Sequence, residues 1–374
     1  MDEMLELPFF NDEQRSFARE LDVNARNHIW PDPEVVDPGQ ALLTALRTLA
    51  KAEVLKFAVG EPWSLRANVL IREVLAYHSP IADLAFVMQG LGGVPISMFG
   101  SDEQKAQVLP GAASGEHCLA FAITEPEAGS DLTRVSLHAE KIGDEYVLNG
   151  TKHLVSNVGV ATHFTLFART GEGNKGLSAF ILPASTAGVE YEQQPGVSAH
   201  PLGRIGFDDA KLPASAVLGE PGMGMKIALA TLGRMRTTVA AAANGMARRA
   251  LDECLLHVTQ REMFGGTLAD QPIAQGILAE MRARLDASRL LTYRAAWQFD
   301  KGDDRIPLEA GVAKWQSTEN AQWIIDKALQ LAGGKGTLKG SIFERLYRDI
   351  RPLRIYEGAS EVQQMVIARA MLED

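Results

Sequence analysis

The sequence predicts an α+β chain in three segments: an N-terminal α-helical domain over residues 1–115, a middle β domain over 116–225 and a C-terminal α-helical bundle over 226–374. Three observations carry this. Apolar residues repeat at helical spacing up to about residue 115. From Glu116 the pattern becomes short apolar runs separated by Gly, Asn and Pro, with no long helix between them, which indicates an antiparallel barrel or sandwich. From about Lys226 the helical spacing returns. The chain has 374 residues, 46% hydrophobic and 22% charged, which suits two or three domains around a large core.

In the first segment Asn11 opens a helix with Gln14 three residues on, a capping pair, and Pro31 and Pro33 stop it. Leu42, Leu43, Leu46, Leu49 and Ala50 form the next helical row. Gly60-Glu61-Pro62 reads as a loop, and Leu65 to Tyr77 and Ile81 to Met88 as two more helices. Gly90, Gly92, Gly93 and Pro95 are expected to interrupt the second of these, whose Leu84, Phe86, Val87 and Met88 read as core. Ser101 caps a short helix. Strands are expected at Tyr146–Leu148, Phe164–Ala168, Leu177–Leu182, Val189–Tyr191 and Arg204–Phe207. In the third segment the run Val239 to Gly245 is rich in small residues, so its helix is expected to approach a neighbour closely. Ile273, Ile277, Met281 and Leu285 recur every fourth residue as a core-facing row. A long helix from about Pro307 stops at Gly333-Gly334.

The formal net charge of -10 opposes binding to a phosphate backbone, so a nucleic-acid role is disfavoured. The two cysteines, Cys118 and Cys254, form no metal-ligand pattern and read as reduced, buried thiols. The acidic N-terminus lacks the features of a signal or transit peptide. No uncharged apolar stretch of about twenty residues stands out, so no membrane-spanning helix is expected and a cytoplasmic location is the default.

Chemistry concentrates in two places. In Arg354-Ile355-Tyr356-Glu357-Gly358-Ala359-Ser360-Glu361 an acidic residue precedes a glycine where a loop turns into a helix. Ser360 is expected to cap that helix, with Val362, Met365, Val366 and Ile367 as its apolar face. A carboxylate beside bare backbone N–H groups is what proton abstraction next to a carbonyl requires: the carboxylate takes the proton and an N–H stabilises the enolate oxygen. In Phe121-Ala122-Ile123-Thr124-Glu125-Pro126-Glu127-Ala128-Gly129-Ser130-Asp131, Thr124, Gly129 and Ser130 offer donors to a ligand.

The second string closely resembles the signature of the acyl-CoA dehydrogenases, FAD-dependent enzymes. Four more stretches resemble family motifs in the same order: Asn149-Gly150-Thr151-Lys152 with Ser156-Asn157, Arg261-Glu262-Met263-Phe264-Gly265 with Gln271, Gln330-Leu331-Ala332-Gly333-Gly334, and Ile355 to Glu361. The resemblance covers nearly the whole chain and is loosest over the first hundred residues. It implies the family's helical domain, β domain and C-terminal four-helix bundle. It also implies bound FAD and oxidation of an acyl-CoA thioester to the trans-2-enoyl form, with hydride leaving to flavin N5.

By that resemblance Glu357 is the base, with Gly358 and Arg236 completing the catalytic set. The thioester oxygen is polarised by the Glu357 N–H and a ribityl hydroxyl of the flavin. Phe121, Ile123, Thr124, Gly129, Ser130 and Ser156 line the flavin. Arg261, Phe264, Gln271, Gln330 and Gly334 hold the ADP half from a neighbouring subunit. Ser130, Tyr356, Glu357 and Gly358 meet the substrate, and no metal is implied. A shared cofactor site implies a homo-oligomer, a dimer of dimers, and the family's acceptor is an electron-transferring flavoprotein. Some members carry the base on a C-terminal helix instead; the matching position here is Met235, which has no carboxylate. Leu154 replaces the usual Trp beside the flavin, Gly233 replaces an Asp or Asn near the pantetheine, and Ala359 replaces a Thr. Two alternatives stand beside this reading. One is a flavin oxidase, or a dehydrogenase of a carrier-protein-bound thioester. The other is a non-enzymatic DNA-associated relative, which the negative charge disfavours.

Overall fold

The computed structural model describes residues 2–303 and 305–373. Twelve helices are present among them: α1 (Asp2–Leu5), α2 (Asp12–Asn27), α3 (Pro38–Lys51), α4 (Lys56–Val59), α5 (Leu65–His78), α6 (Pro80–Phe99), α7 (Asp102–Ser114), α8 (Gly224–Gln260), α9 (Pro272–Asp300), α10 (Pro307–Ala332), α11 (Ile342–Ile350) and α12 (Ser360–Glu373). The strands are β1 (Leu119–Ala122), β2 (His138–Ile142), β3 (Glu145–Ser156), β4 (His163–Arg169), β5 (Leu177–Pro183), β6 (Val189–Gln193), β7 (Leu202–Pro213) and β8 (Val217–Leu218), with a small hairpin of β9 (Glu262–Met263) and β10 (Gly266–Thr267). The chain divides into two compact units, one of Met1–Trp30, Ser64–Asp83 and Gly233–Asp374, the other of Pro31–Trp63 and Leu84–Leu232.

The first unit is helical. Its α10 packs against α9, α11 and α12, and α5 against α2 and α9. The core holds Val239, Met246, Cys254, Met281, Leu285, Ile324 and Ile325. The Asn11–Gln14 capping box forms as expected, and Gly333, at φ 63°, stops α10. The small residues of α8 let it press on α5. A Cβ at Gly245 would collide with the Glu73 carbonyl and lie 3.0 Å from the Tyr77 nitrogen. Gly245→Ala is therefore expected to lower stability by about 1–3 kcal/mol, because the obstacle is backbone and has no rotamer to yield. A thermal melt that matches the parent protein would refute this contact. The row expected on α9 is correct only in part: Met281 and Leu285 are buried, but Ile273 is 81% exposed, being at the first turn, beyond the reach of the bundle core.

The second unit carries an eight-stranded sheet in the order β6-β7-β3-β2-β4-β5-β8, with β1 on β4. The sheet is mixed, which corrects the antiparallel expectation. β1 runs parallel to β4 in register Leu119 to His163, and β2 meets β4 in parallel at His138 and Arg169. Long crossovers make such pairs possible, and no local pattern announces them.

One further expectation is corrected in α6. Its glycines and Pro95 do not interrupt it. A Cβ at Gly92 would lie 2.6 Å from the Leu119 Cβ and one at Gly93 2.5 Å from Val59, so the glycines serve close packing. The uninterrupted helix is also long and apolar enough to cross a membrane by length and composition, yet it is mostly buried within the protein, as a core helix is. Ser101 and Gln104 form the capping box that starts α7, and Phe86, Val87 and Met88 are core.

Candidate active site

The Glu357 loop leaves a short helical turn, Arg351–Arg354, and enters α12 through two successive left-handed residues, Glu357 at φ 52° and Gly358 at φ 91°. Gly358 adopts this freely; Glu357 does so at a cost. Three groups hold the turn. Lys314 on α10 donates to the Gly358 carbonyl at 2.7 Å. Gln363 on α12 donates through Nε2 to the carbonyls of Glu357 at 3.1 Å and Gly358 at 2.9 Å. Glu319 on α10 accepts from Arg354 Nε at 2.8 Å and from Ser360 Oγ at 2.5 Å, fixing both shoulders. With those carbonyls engaged, the N–H groups of Glu357 and Gly358 have no acceptor among the described residues. Ser360 is thus the first residue of the helix and a donor to Glu319, and does not cap it as expected. The expected apolar face holds in part: Val362, Val366 and Ile367 are half-buried, but Met365 is 53% exposed and the buried residues of α12 are Ser360 and Gln363.

The Glu357 Oε2 is shielded from solvent and has no hydrogen-bond partner. Burial pushes its carboxyl above the ordinary carboxylate value, and Arg72, Lys314 and Arg236 pull it back in part, while Asp83 adds to the rise. Arg236, flanking the buried Met235 on α8, has its Nε enclosed and unpaired; burial lowers its pKa and the nearby Glu357 opposes that. Tyr356 is partly exposed and shares the Arg72 and Asp83 charges with Glu357. Arg72 itself is buried on α5. It forms a two-point pair with Asp83, Nε to Oδ1 at 2.8 Å and a terminal nitrogen to Oδ2 at 2.7 Å, and donates to Thr238 Oγ1 at 2.9 Å. Burial alone would weaken the Arg72 charge, but Asp83 more than restores it. A base of raised pKa, free N–H donors and flanking cations are together suited to removing a proton next to a carbonyl. Sequence reasoning missed Arg72, Asp83, Lys314, Glu319 and Gln363.

In the other unit, the Thr124–Asp131 loop is fastened by Glu125. It accepts from the Ser136 N–H at 2.8 Å, the Ser136 hydroxyl at 2.7 Å, the Leu137 N–H at 2.9 Å and Lys152 at 2.7 Å. Lys152, fully buried and lowered by that burial to about 8, also donates to the Ile123 carbonyl at 3.1 Å. The β3–β7 register slips between Lys152 and Val155, and His153 instead donates to the Thr124 carbonyl at 2.9 Å. Leu154 is left 54% exposed at φ 53°. Phe121 packs on Phe167 with ring centroids 4.9 Å apart, Ile123 is buried, Ser156 is half-buried and Ser130 is exposed. Gly129 has nothing within 4 Å of where a Cβ would stand.

Despite its burial, Glu125 is held below the ordinary carboxylate value by Lys152 and the Leu137 and Ser136 donors. A lowered folded pKa means stability present above the unfolded value and lost as pH falls through the folded one. The parent protein is therefore expected to lose melting temperature below about pH 4.5, where the unfolded carboxyl begins to titrate. A Glu125→Gln variant should melt lower at pH 7 and fall less steeply in acid. Parallel acid curves would show that Glu125 contributes nothing to this dependence.

The remaining predicted residues lie at one end of the first unit. Arg261 and Phe264 belong to the β9–β10 hairpin region, Gln271 precedes α9, and Gln330 and Gly334 flank the end of α10. His257 ties the two sets together: it hydrogen-bonds the Leu331 backbone and feels the charges of Arg261 and Lys335, which add to burial in lowering its pKa. Lys335, adjacent to the Gly-Gly pair, was not singled out from sequence. Phe264 is 86% exposed at φ 50°, and Gly333 and Gly334 have open space around them.

Comparison with known proteins finds relatives along nearly the whole chain. Models of the acyl-CoA dehydrogenase N-terminal, middle and C-terminal domains match residues 11–116, 120–210 and 222–372. The 3-(aryl)acrylate reductase of Clostridium sporogenes is 39% identical over 314 residues, 82% of this chain and 83% of that one. The human mitochondrial short-chain specific acyl-CoA dehydrogenase is 40% identical over 283 residues, 74% of this chain and 68% of that one. A crystal structure of an acyl-CoA dehydrogenase complexed with FAD from Bacillus anthracis superposes with a TM-score of 0.92 at 27% identity, covering 99% of this chain and 69% of that one. With three consecutive family domains along the chain and relatives at this identity, the chain belongs to the acyl-CoA dehydrogenase family.

Proposed function

We propose that the protein oxidises an acyl-CoA thioester to its trans-2-enoyl form. The carrying observation is Glu357: a carboxylate raised by burial, next to free backbone N–H groups, with Arg72, Arg236 and Lys314 around it. Glu357 takes the α-proton. Its N–H donates to the thioester oxygen as negative charge develops there, and exclusion of water from Oε2 strengthens both contacts.

The residues present fit FAD. Arg261 and Lys335 are exposed cations near the open Gly333-Gly334 backbone, a donor set suited to a pyrophosphate, with Phe264 and the amide of Gln271 beside them. Gln330 and Gly334 complete that set. In the other unit Phe121, Ile123, Thr124, Gly129, Ser130 and Ser156 offer apolar surface, hydroxyls and open backbone to the flavin, with Ser130 also toward the pantetheine arm. FAD, when bound, supplies the acceptor for the hydride that leaves the β-carbon. An electron-transferring flavoprotein would then reoxidise the enzyme. A homo-oligomer, a dimer of dimers, is the assembly that a cofactor site shared between subunits would require, and the free buried Cys118 and Cys254 suit a reducing cytoplasm.

The test is an anaerobic titration of the purified, FAD-loaded protein with acyl-CoAs of short, medium, branched, cyclic and 3-aryl type, the last because of the aryl-acrylate relative. Loss of flavin absorbance with one class is the expected result. A yellow protein that no acyl-CoA bleaches would overturn the acyl-CoA reading. The oxidase alternative is not favoured, because such relatives commonly lose the base that Glu357 provides here.

A further inference from the structure

The geometry points to Lys314 as a positioning residue for the base: its ammonium, hydrogen-bonded to the Gly358 carbonyl, holds the Glu357–Gly358 turn in its left-handed form and adds a positive charge beside the carboxylate. This rests on the reading of Glu357 as the base. Lys314 is fully buried on α10. Burying an ammonium is costly unless it is paired, and a neutral side chain of similar shape would fill the same space more cheaply. Yet Lys314 makes no ion pair among the described residues. Its one hydrogen bond, at 2.7 Å, goes to a backbone carbonyl one residue from Glu357. The conformation it holds is one a glutamate avoids, at φ 52°, and such strain persists only where the surroundings over-determine it. Gln363, also fully buried, is the second hand of the same clamp, bonded to both carbonyls from α12.

The charges around the two groups are set by several elements. Glu357 faces Arg72 from α5, Asp83 from α6, Arg236 from α8, Lys314 from α10 and Tyr356 from its own loop. Lys314 faces Glu357, Arg236, Glu319 and, from α12, Glu361; burial lowers it to about 8. Glu357 is the first of its anionic neighbours, so removing the ammonium removes a cation that holds the base ionised.

Two variants of the holoenzyme test this. Lys314→Met removes donor and charge; Lys314→Gln keeps a neutral donor. Lys314→Met is expected to melt at or above the parent temperature. Its amide hydrogen exchange over residues 355–359 should be at least about tenfold faster. Its kcat should fall about 10- to 100-fold with KM little changed, a fraction of what general-base catalysis is worth. The acid limb of kcat/KM should move up by about one pH unit, the effect of losing a nearby opposite charge. Lys314→Gln should recover much of the exchange protection and none of the acid-limb position. A role confined to packing would leave both exchange and acid limb unmoved, and that result overturns the inference. Should Lys314→Met not fold, Lys314→Gln decides alone: an unmoved acid limb overturns the inference. Failure of the underlying reading is separately visible, because Glu357→Gln would then remain active whatever Lys314 does.

Discussion

Glu357→Gln is expected to keep its fold, its bound FAD and its affinity for thioester, and to lose thioester-driven bleaching of the flavin by about 10² to 10⁴-fold or more, the range over which a positioned general base acts. The amide is nearly isosteric with the carboxylate and leaves the clamp of Lys314 and Gln363 on the loop carbonyls untouched. What it cannot do is take a proton. The stability of the variant gives an independent check. The folded carboxyl of Glu357 is raised, chiefly by burial. A carboxyl raised on folding contributes stability that is fully present below its unfolded pKa and is lost as pH rises through the folded one. As pH rises through that folded value the parent protein takes on the penalty of an ionised, half-buried Glu357, so the melting temperature of Glu357→Gln should gain on the parent's. Rapid single-turnover reduction of the variant would show that another group abstracts the proton. A large drop in melting temperature would show instead that Glu357 is there for the fold.

Much of this site was legible in the sequence because its parts are local. Glu357 and Gly358 are neighbours, the capping boxes at Asn11 and Ser101 span three residues each, and Gly333 ends α10 where a glycine next to a helical row should. The small-residue run on α8 announced close packing, and Gly245 against α5 shows it. What escaped depends on partners distant in the chain. Ser360 looks like a cap until Glu319, forty-one residues earlier, is found to accept from it. Lys314 lies in a helical stretch with no sign that its ammonium meets the carbonyl of residue 358. The glycines of α6 read as breakers because glycine costs a helix about 1 kcal/mol relative to alanine; close packing on Leu119 and Val59 offsets that cost, and neither partner is nearby in sequence. The parallel pairing of β1 with β4 is the same case in a sheet. Local chemistry gave the proposed base; the groups that set its charge and hold its backbone are non-local.

The Arg72–Asp83 pair is where non-local structure should have its largest effect on stability. Both side chains are buried, at 1% and 5% exposure, and Arg72 is satisfied by Asp83 and Thr238. Asp83→Asn leaves a guanidinium in the interior with its anion gone, and Arg72→Met leaves the carboxylate; each is expected to cost about 3–5 kcal/mol. The double variant Arg72→Met/Asp83→Asn should recover part of that, because no unpaired charge is left in the interior, while the amide at position 83 still lacks its hydrogen-bond partner. The two single variants should also act oppositely on the base. Arg72 holds Glu357 down and Asp83 pushes it up, with Arg236, Lys314 and Tyr356 unchanged around it. Asp83→Asn should thus move the acid limb of kcat/KM to lower pH and Arg72→Met to higher pH. A shared direction would mean that the variants act by disturbing the loop and not by charge. Additive losses of stability in the double variant would mean that the pair is not coupled, and the buried ion pair would then be a set of independent packing contacts on α5 and α6.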